Sequence, residues 1–400
     1  MTAPAASARA AAAGRRQAGL LGAIALATDA ADDLVLGTAR DVHGAVARRV
    51  LGATGRATRG YSGCVEAVHA QLSSAVYAGV GGGLRATGRG LRAADRRGVG
   101  GRLEDSPAGR VLVSAVNGLL GDRLAEQQSD LVITMAVRRH GRDVPCDPGS
   151  LAEAFPTATS DVLVFLHGLG EADEVWQRGA RESGGSYGSR LAAETSWTPV
   201  YLRANSGLPI AENGVALASL LDELVAAWPT GVRRIGLVGY SMGGLVIRAA
   251  CAVGTDAANP WNELVTDVVT LGTPHLGAPL ERAVALGARA LGRLPESAPF
   301  GRILEYRSVG ILDLRGGLAP DLQNLPHARY HLVAATLASS PRHPVSETLG
   351  DLLVRYPSAT GRPRRGPHMF PGADVLHVRG DHFDLLNHPK VYDALRTWLT

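Results

Sequence analysis

Six short apolar runs constrain this chain more than any other feature: residues 162–166, 200–202, 235–238, 265–271, 331–335 and 375–378. Helical patterns fall between several of them, for example at 214–228 and 245–253. A strand with one wet face alternates apolar and polar side chains, whereas a run that is apolar throughout is buried on both faces. Short doubly buried strands separated by helices predict a mostly parallel sheet covered by helices on each side. A further strand is expected at 131–137, with a polar turn at 139–143 after it. No repeat is visible, and the boundary between an N-terminal region and the sheet domain is expected between residues 125 and 158.

The N-terminal third has a different texture. Residues 1–14 are Ala-rich and expected to be disordered, and 15–125 read as a helical extension. Helix-like spacing recurs at 20–51 and 64–77; Ser106-Pro107 marks a helix start, with Ser106 as N-cap, and that helix should run through Val116 to Leu124. Residues 1–110 hold 15 Arg against 8 Asp and Glu, a net +7, although the whole chain is only +4. Two readings stand for these arginines: contact with an anionic lipid surface, or the solvated faces of ordinary helices. Lysine occurs once, at Lys390, so the basic balance does not argue for nucleic acid. No apolar run reaches the length of a membrane span, and 18–28 behind Arg15 and Arg16 reads as an N-terminal helix rather than a signal peptide. Three cysteines, Cys64, Cys146 and Cys251, form neither a disulfide framework nor a metal-ligand spacing. A cytoplasmic location, with peripheral membrane association as an option, is the expectation, and no metal or organic cofactor is expected.

Between the expected strand at 235–238 and the helix at 245–253 lies Gly239-Tyr240-Ser241-Met242-Gly243. With 50 glycines in the chain the pattern G-x-S-x-G has little weight alone, and Gly184-Gly185-Ser186-Tyr187-Gly188 matches it too. The flanks separate them: the second copy has no strand before it and reads as a loop. A serine on a sharp strand-to-helix turn is driven to positive φ, and neighbours two away must lack Cβ. Ser241 is therefore the expected nucleophile, with the Met242 N–H aimed at a developing oxyanion. A phosphate loop would need a Lys-Ser/Thr pair that is missing here.

The strand at 162–166 runs into His167-Gly168-Leu169-Gly170, where the Leu169 N–H is the expected second oxyanion donor. His167 is read as holding this loop, not as a base. The base should follow the last strand; His382 sits after a Gly380-Asp381 turn, whereas His368, His377 and His388 lie in a Pro/Arg-rich loop, inside a strand and beside Pro389. Asp351, in a loop between the last two strands, is the expected acid. Asp374 is at the wrong end of its strand, Asp381 adjoins His382, and Asp313 and Asp321 come too early.

These residues resemble bacterial α/β-hydrolases of the GPI-inositol-deacylase-like and triacylglycerol-lipase-like esterase group. The likeness rests on 117–122, the His167-Gly168 loop, 198–203, Glu212-Asn213-Gly214, the Ser241 turn, 271–282 with Thr273-Pro274-His275-Leu276-Gly277, and the Gly350-Asp351 and His382 segments. It implies an α/β-hydrolase fold over 126–400 with the catalytic residues Ser241, His382 and Asp351. A substrate pocket walled by His167, Gly168, Tyr240, Pro274, His275 and Leu276 is expected, with a lid at 278–329. One departure stands out: the family carries glycine after the acid, and this chain has Leu352.

The expected activity is hydrolysis of a small-molecule or lipid carboxylic ester through an acyl-enzyme. The same residues could pass the acyl group to an alcohol, making an acyltransferase. A different class is a lipid- or granule-surface binding protein in which the basic helices do the work.

Overall fold

The computed structural model describes most residues of 107–278 and 308–400 and a few between 82 and 106. The expected N-terminal disorder, the helices at 20–51 and 64–77, and the lid segment from 279 to 307 lie outside the described residues. Contacts divide the chain into two units, one of 1–15, 107–281 and 308–400, the other of 16–106 and 282–307. All that follows concerns the first unit.

Its centre is an eight-stranded sheet: β1 (Ala136–Arg139), β2 (Arg142–Val144), β3 (Asp161–Leu166), β4 (Trp197–Arg203), β5 (Arg234–Tyr240), β6 (Val265–Leu271), β7 (Arg329–Thr336) and β8 (Asp374–Arg379). The spatial order is β2-β1-β4-β3-β5-β6-β7-β8. Only the β1–β2 and β1–β4 pairings are antiparallel. This is the α/β-hydrolase arrangement, and all six expected sheet strands form.

The doubly buried runs work as the pleat requires. Along β3, Val162, Val164 and Leu166 join the core on one face, while Leu163 and Phe165 join the core on the other. The first core is completed by the helices Ile210–Ala227 and Met242–Cys251, the second by Tyr187–Glu194 and Pro389–Trp398. Each fully buried Val, Leu or Phe contributes roughly 1.5–3 kcal/mol, so the sheet's stability is divided between two cores.

Two expectations are corrected. The strand expected at 131–137 begins only at Ala136, because the Asn117 side chain takes the place of a neighbouring strand. Its Nδ2 donates to Leu131 O at 2.7 Å and its Oδ1 accepts from the Ile133 N–H at 3.0 Å. Asn117 belongs to the helix Pro107–Glu126, which starts where Ser106-Pro107 predicted. The polar turn expected at 139–143 forms as the tip of the β1–β2 hairpin, with the turn itself at residues 140 and 141. The second G-x-S-x-G also differs from a loop. Ser186 caps the helix Tyr187–Glu194, accepting from the Ser189 N–H, with an ordinary φ of −73°.

Every parallel strand of the sheet ends on the same edge. Chain direction reverses between β3 and β5: the connection from β3 leads outward to β4, and that from β5 leads the opposite way to β6. Open α/β sheets form their crevice outside the carboxyl ends at such a point.

Candidate active site

Ser241 stands at that point, between the end of β5 and the helix Met242–Cys251, with φ +52° and ψ −122°. A non-glycine residue at positive φ stores about 1–3 kcal/mol of strain and persists only where its surroundings enforce it. The surroundings are tight. A Cβ on Gly239 would lie 2.5 Å from the Gly244 nitrogen, and one on Gly243 would lie 2.4 Å from Leu166 O and 2.5 Å from His167 O. Both glycines are needed, the first for the turn and the second for its approach to the end of β3. The Ser241 N–H donates to Leu271 O at 2.8 Å, continuing the β5–β6 ladder into the turn. Met242 occupies the first helical position, where the N–H has no intrahelical acceptor and faces outward from the helix start.

His167, just past β3, is buried, and both its ring nitrogens are engaged. Nε2 lies 3.0 Å from the Ala204 N–H, which can only donate, so Nε2 accepts. The ring proton is therefore on Nδ1, which donates to Gly168 O at 2.8 Å. Burial pushes the His167 pKa down to about 4, which keeps this neutral tautomer in place. In a trans peptide the C=O and the following N–H point oppositely. Tying Gly168 O to His167 thus turns the Leu169 N–H away from His167. The Gly168 N–H donates to Glu171 Oε2 at 3.0 Å, and the Gly170 N–H to Ser206 Oγ at 2.8 Å.

Asp351 and His382 come together from the loops after β7 and β8. Asp351 Oδ2 is 2.7 Å from His382 Nδ1, and the His382 N–H donates to Asp351 O at 3.0 Å. Both residues are buried. The second carboxylate oxygen, Oδ1, accepts from the Leu353 N–H at 3.0 Å and the Val354 N–H at 2.7 Å. One oxygen is committed to its own turn and the other to the imidazole. That turn needs Leu352 at φ +81°, a conformation that favours glycine. His382 Nε2 is buried and, among the described residues, has no hydrogen-bond partner. The Tyr240 ring lies 5.0 Å from the imidazole, and its hydroxyl donates to His382 O at 3.3 Å.

The rejected candidates have other partners. Asp374 accepts at His331 Nδ1, Asp313 accepts the Ile210 N–H, and Asp381 accepts from Phe383 and Asp384. His377 Nε2 meets the Thr336 hydroxyl at 2.7 Å, and His388 caps the final helix.

Of the expected pocket wall, His167, Gly168 and Tyr240 surround the Ser241 turn. Pro274, His275 and Leu276 follow β6 and are tied to Ser358: His275 N–H donates to Ser358 O at 3.2 Å and Leu276 N–H to Ser358 Oγ at 3.1 Å. His275 is wholly buried against the Phe370 ring, and burial drives its pKa far down. Its Nε2 meets the Thr270 hydroxyl on β6 at 3.3 Å. Glu171 was not singled out from sequence, although an acidic residue one place past the loop's second glycine was the available signal. Among the described residues no group of three or more His, Cys, Asp and Glu side chains could hold a metal, and no helix is long and apolar enough to cross a membrane.

Residues 160–306 match the family model described as "Putative serine esterase (DUF676)". A triacylglycerol lipase from Burkholderia plantarii is 28% identical over 142 residues, 34% of this chain and 36% of its own. A triacylglycerol lipase from Pseudarthrobacter phenanthrenivorans is 30% identical over 125 residues, 30% of this chain and 35% of its own. The matches thus span about a third of the length of these relatives. Among solved structures, lipase 1 from Pelosinus fermentans overlaps with a TM-score of 0.39 at 13% identity, covering 60% of this chain and 98% of that one.

Proposed function

We propose that this chain hydrolyses carboxylic esters through Ser241, His382 and Asp351. The observation that carries the reading is the His382 imidazole, held at Nδ1 by the Asp351 carboxylate while its other nitrogen is buried and, among the described residues, unpartnered. A buried basic nitrogen without a partner is costly in a merely structural histidine and is what a general base requires. It lies on the same sheet edge as a serine held at positive φ.

In this mechanism Ser241 Oγ attacks the ester carbonyl carbon as its proton passes to His382 Nε2. Asp351 keeps the other ring proton on Nδ1 and stabilises the imidazolium that results. The negative charge on the carbonyl oxygen rests on the Leu169 and Met242 N–H groups. The carbon–alkoxy bond then breaks, the alcohol leaves with the proton from Nε2, and Ser241 remains acylated. Water, deprotonated by His382, attacks the acyl group and releases the acid. The relatives' name, triacylglycerol lipase, makes lipid esters the first class to try.

The test is labelling with a fluorophosphonate probe, alongside turnover of a short-chain ester, in wild type and Ser241→Ala. The expected result is labelling and turnover in the wild type and neither in the variant. Ester turnover retained by a folded Ser241→Ala protein overturns the reading.

A further inference from the structure

Glu171 is a carboxylate with a place in the site and no part in the mechanism above. It is half-buried, and among the described residues it forms no ion pair within 4.0 Å; the Gly168 N–H is its hydrogen-bond donor. Its position relative to the nucleophile is set by Gly168. A methyl group added there would lie 2.8 Å from Glu171 Oε2, 3.0 Å from Ser241 Cβ and 3.5 Å from Tyr240 Cδ1. The carboxylate oxygen and Ser241 Cβ therefore crowd the same side of Gly168, where not even a methyl group would fit without a shift. Around it stand His382 on the loop after β8, Arg178 on the segment after β3, Tyr240 at the end of β5, and the Gly168 N–H.

The mechanism has no use for a negative charge here. It opposes the oxyanion, and a wall residue that only had to receive the Gly168 N–H could be a neutral amide. Its charge does act on whatever part of a substrate lies beside Ser241. Charges at close range in a partly dry cleft interact strongly enough to decide between substrates.

We infer that Glu171 is a specificity-determining residue that turns anionic esters away from Ser241 and favours neutral and, above all, cationic ones. The inference rests on the esterase reading and adds the charge class of its substrate. Burial raises the Glu171 pKa to about 7, against the opposing pull of Gly168 N–H, His382 and Arg178. The selection is consequently strongest above about pH 7 and fades below it, as the carboxylate takes up a proton.

The experiment compares kcat/KM of the full chain for three phenyl acetates that differ only at the para position: trimethylammonium, tert-butyl and carboxylate. The same set is measured with Glu171→Gln, whose side-chain oxygen still accepts the Gly168 N–H but carries no charge. Taking ratios between substrates removes effects common to all three. Comparing the two enzymes removes the intrinsic difference between the leaving phenols. The expected result is a cation-to-anion ratio at least about tenfold higher in wild type than in Glu171→Gln above pH 7, converging as the pH falls. Equal ratios in two active enzymes at all pH values overturn the inference and leave the esterase reading standing. If wild type turns over none of the three and takes no fluorophosphonate label, both fall together.

Discussion

The loops after β3 and β8 each carry a buried histidine to the same edge of the sheet, and the two are wired differently. His167 has both nitrogens taken by backbone groups of its own neighbourhood, Gly168 O and the Ala204 N–H, and burial keeps it neutral down to about pH 4. His382 has a carboxylate on one nitrogen and, among the described residues, no partner on the other. A histidine with both ring nitrogens engaged by backbone is a bracket: it fixes a peptide plane and has no proton to exchange. One with a carboxylate behind it and a free nitrogen in front can take a proton and hold the resulting charge. Burial does not distinguish them; the identity and number of partners do.

The comparison breaks first at Asp351. If the carboxylate is what makes His382 a base, Asp351→Asn should lower kcat for an ester by about 10⁴-fold, since an amide can favour the wrong tautomer. A loss of less than tenfold would mean that the carboxylate only holds the loop. Next comes the bracket. His167→Ala frees the Gly168 peptide, and kcat should fall about 10²–10³-fold, the usual worth of one oxyanion donor, with KM little changed. A rise in KM at constant kcat would make His167 a substrate-binding residue instead.

The bracket also has a pH signature. An unfolded histidine titrates near 6.5, whereas folded His167 stays neutral to about 4. Its contribution is fully present above about 6.5 and is lost as pH falls towards 4, because the unfolded chain binds the proton first. The stability advantage of wild type over His167→Ala, measured by denaturant unfolding, should therefore shrink by a few kcal/mol over that window. A constant difference would contradict the neutral assignment. The smallest effect is expected at Leu352, which is 54% exposed and sits at φ +81°. Leu352→Gly relieves the strain and raises unfolded-state entropy, for a net gain of about 0.5–1 kcal/mol in denaturant unfolding. A loss of stability would show that the Leu352 side chain packs against a partner.

Much of this was legible in the chain. Apolar runs such as 162–166 leave no polar face, so burial on both sides and hence a helix-covered parallel sheet follow from composition at those positions alone. Gly239 and Gly243 around Ser241 declare a turn too tight for Cβ atoms, and the second G-x-S-x-G lacked the strand that would make it one. The strand expected at 131–137 starts late because its apolar pattern is real while the hydrogen-bond partner of its first half is a side chain, Asn117, from a helix preceding it. Pattern reports burial but not what a backbone pairs with.

What the sequence by itself determined is therefore local and periodic: which runs are buried twice, where a glycine-flanked serine must turn, and which histidine and aspartate follow the last strands. Tertiary structure alone decided which nitrogen of which histidine is left without a partner among the described residues, that Leu352 occupies a glycine's conformation, and that Glu171 stands near Ser241. These depend on atoms brought together from positions as distant in the chain as Gly168, Ser241, Asp351 and His382, and no spacing along a chain encodes a contact across a sheet edge.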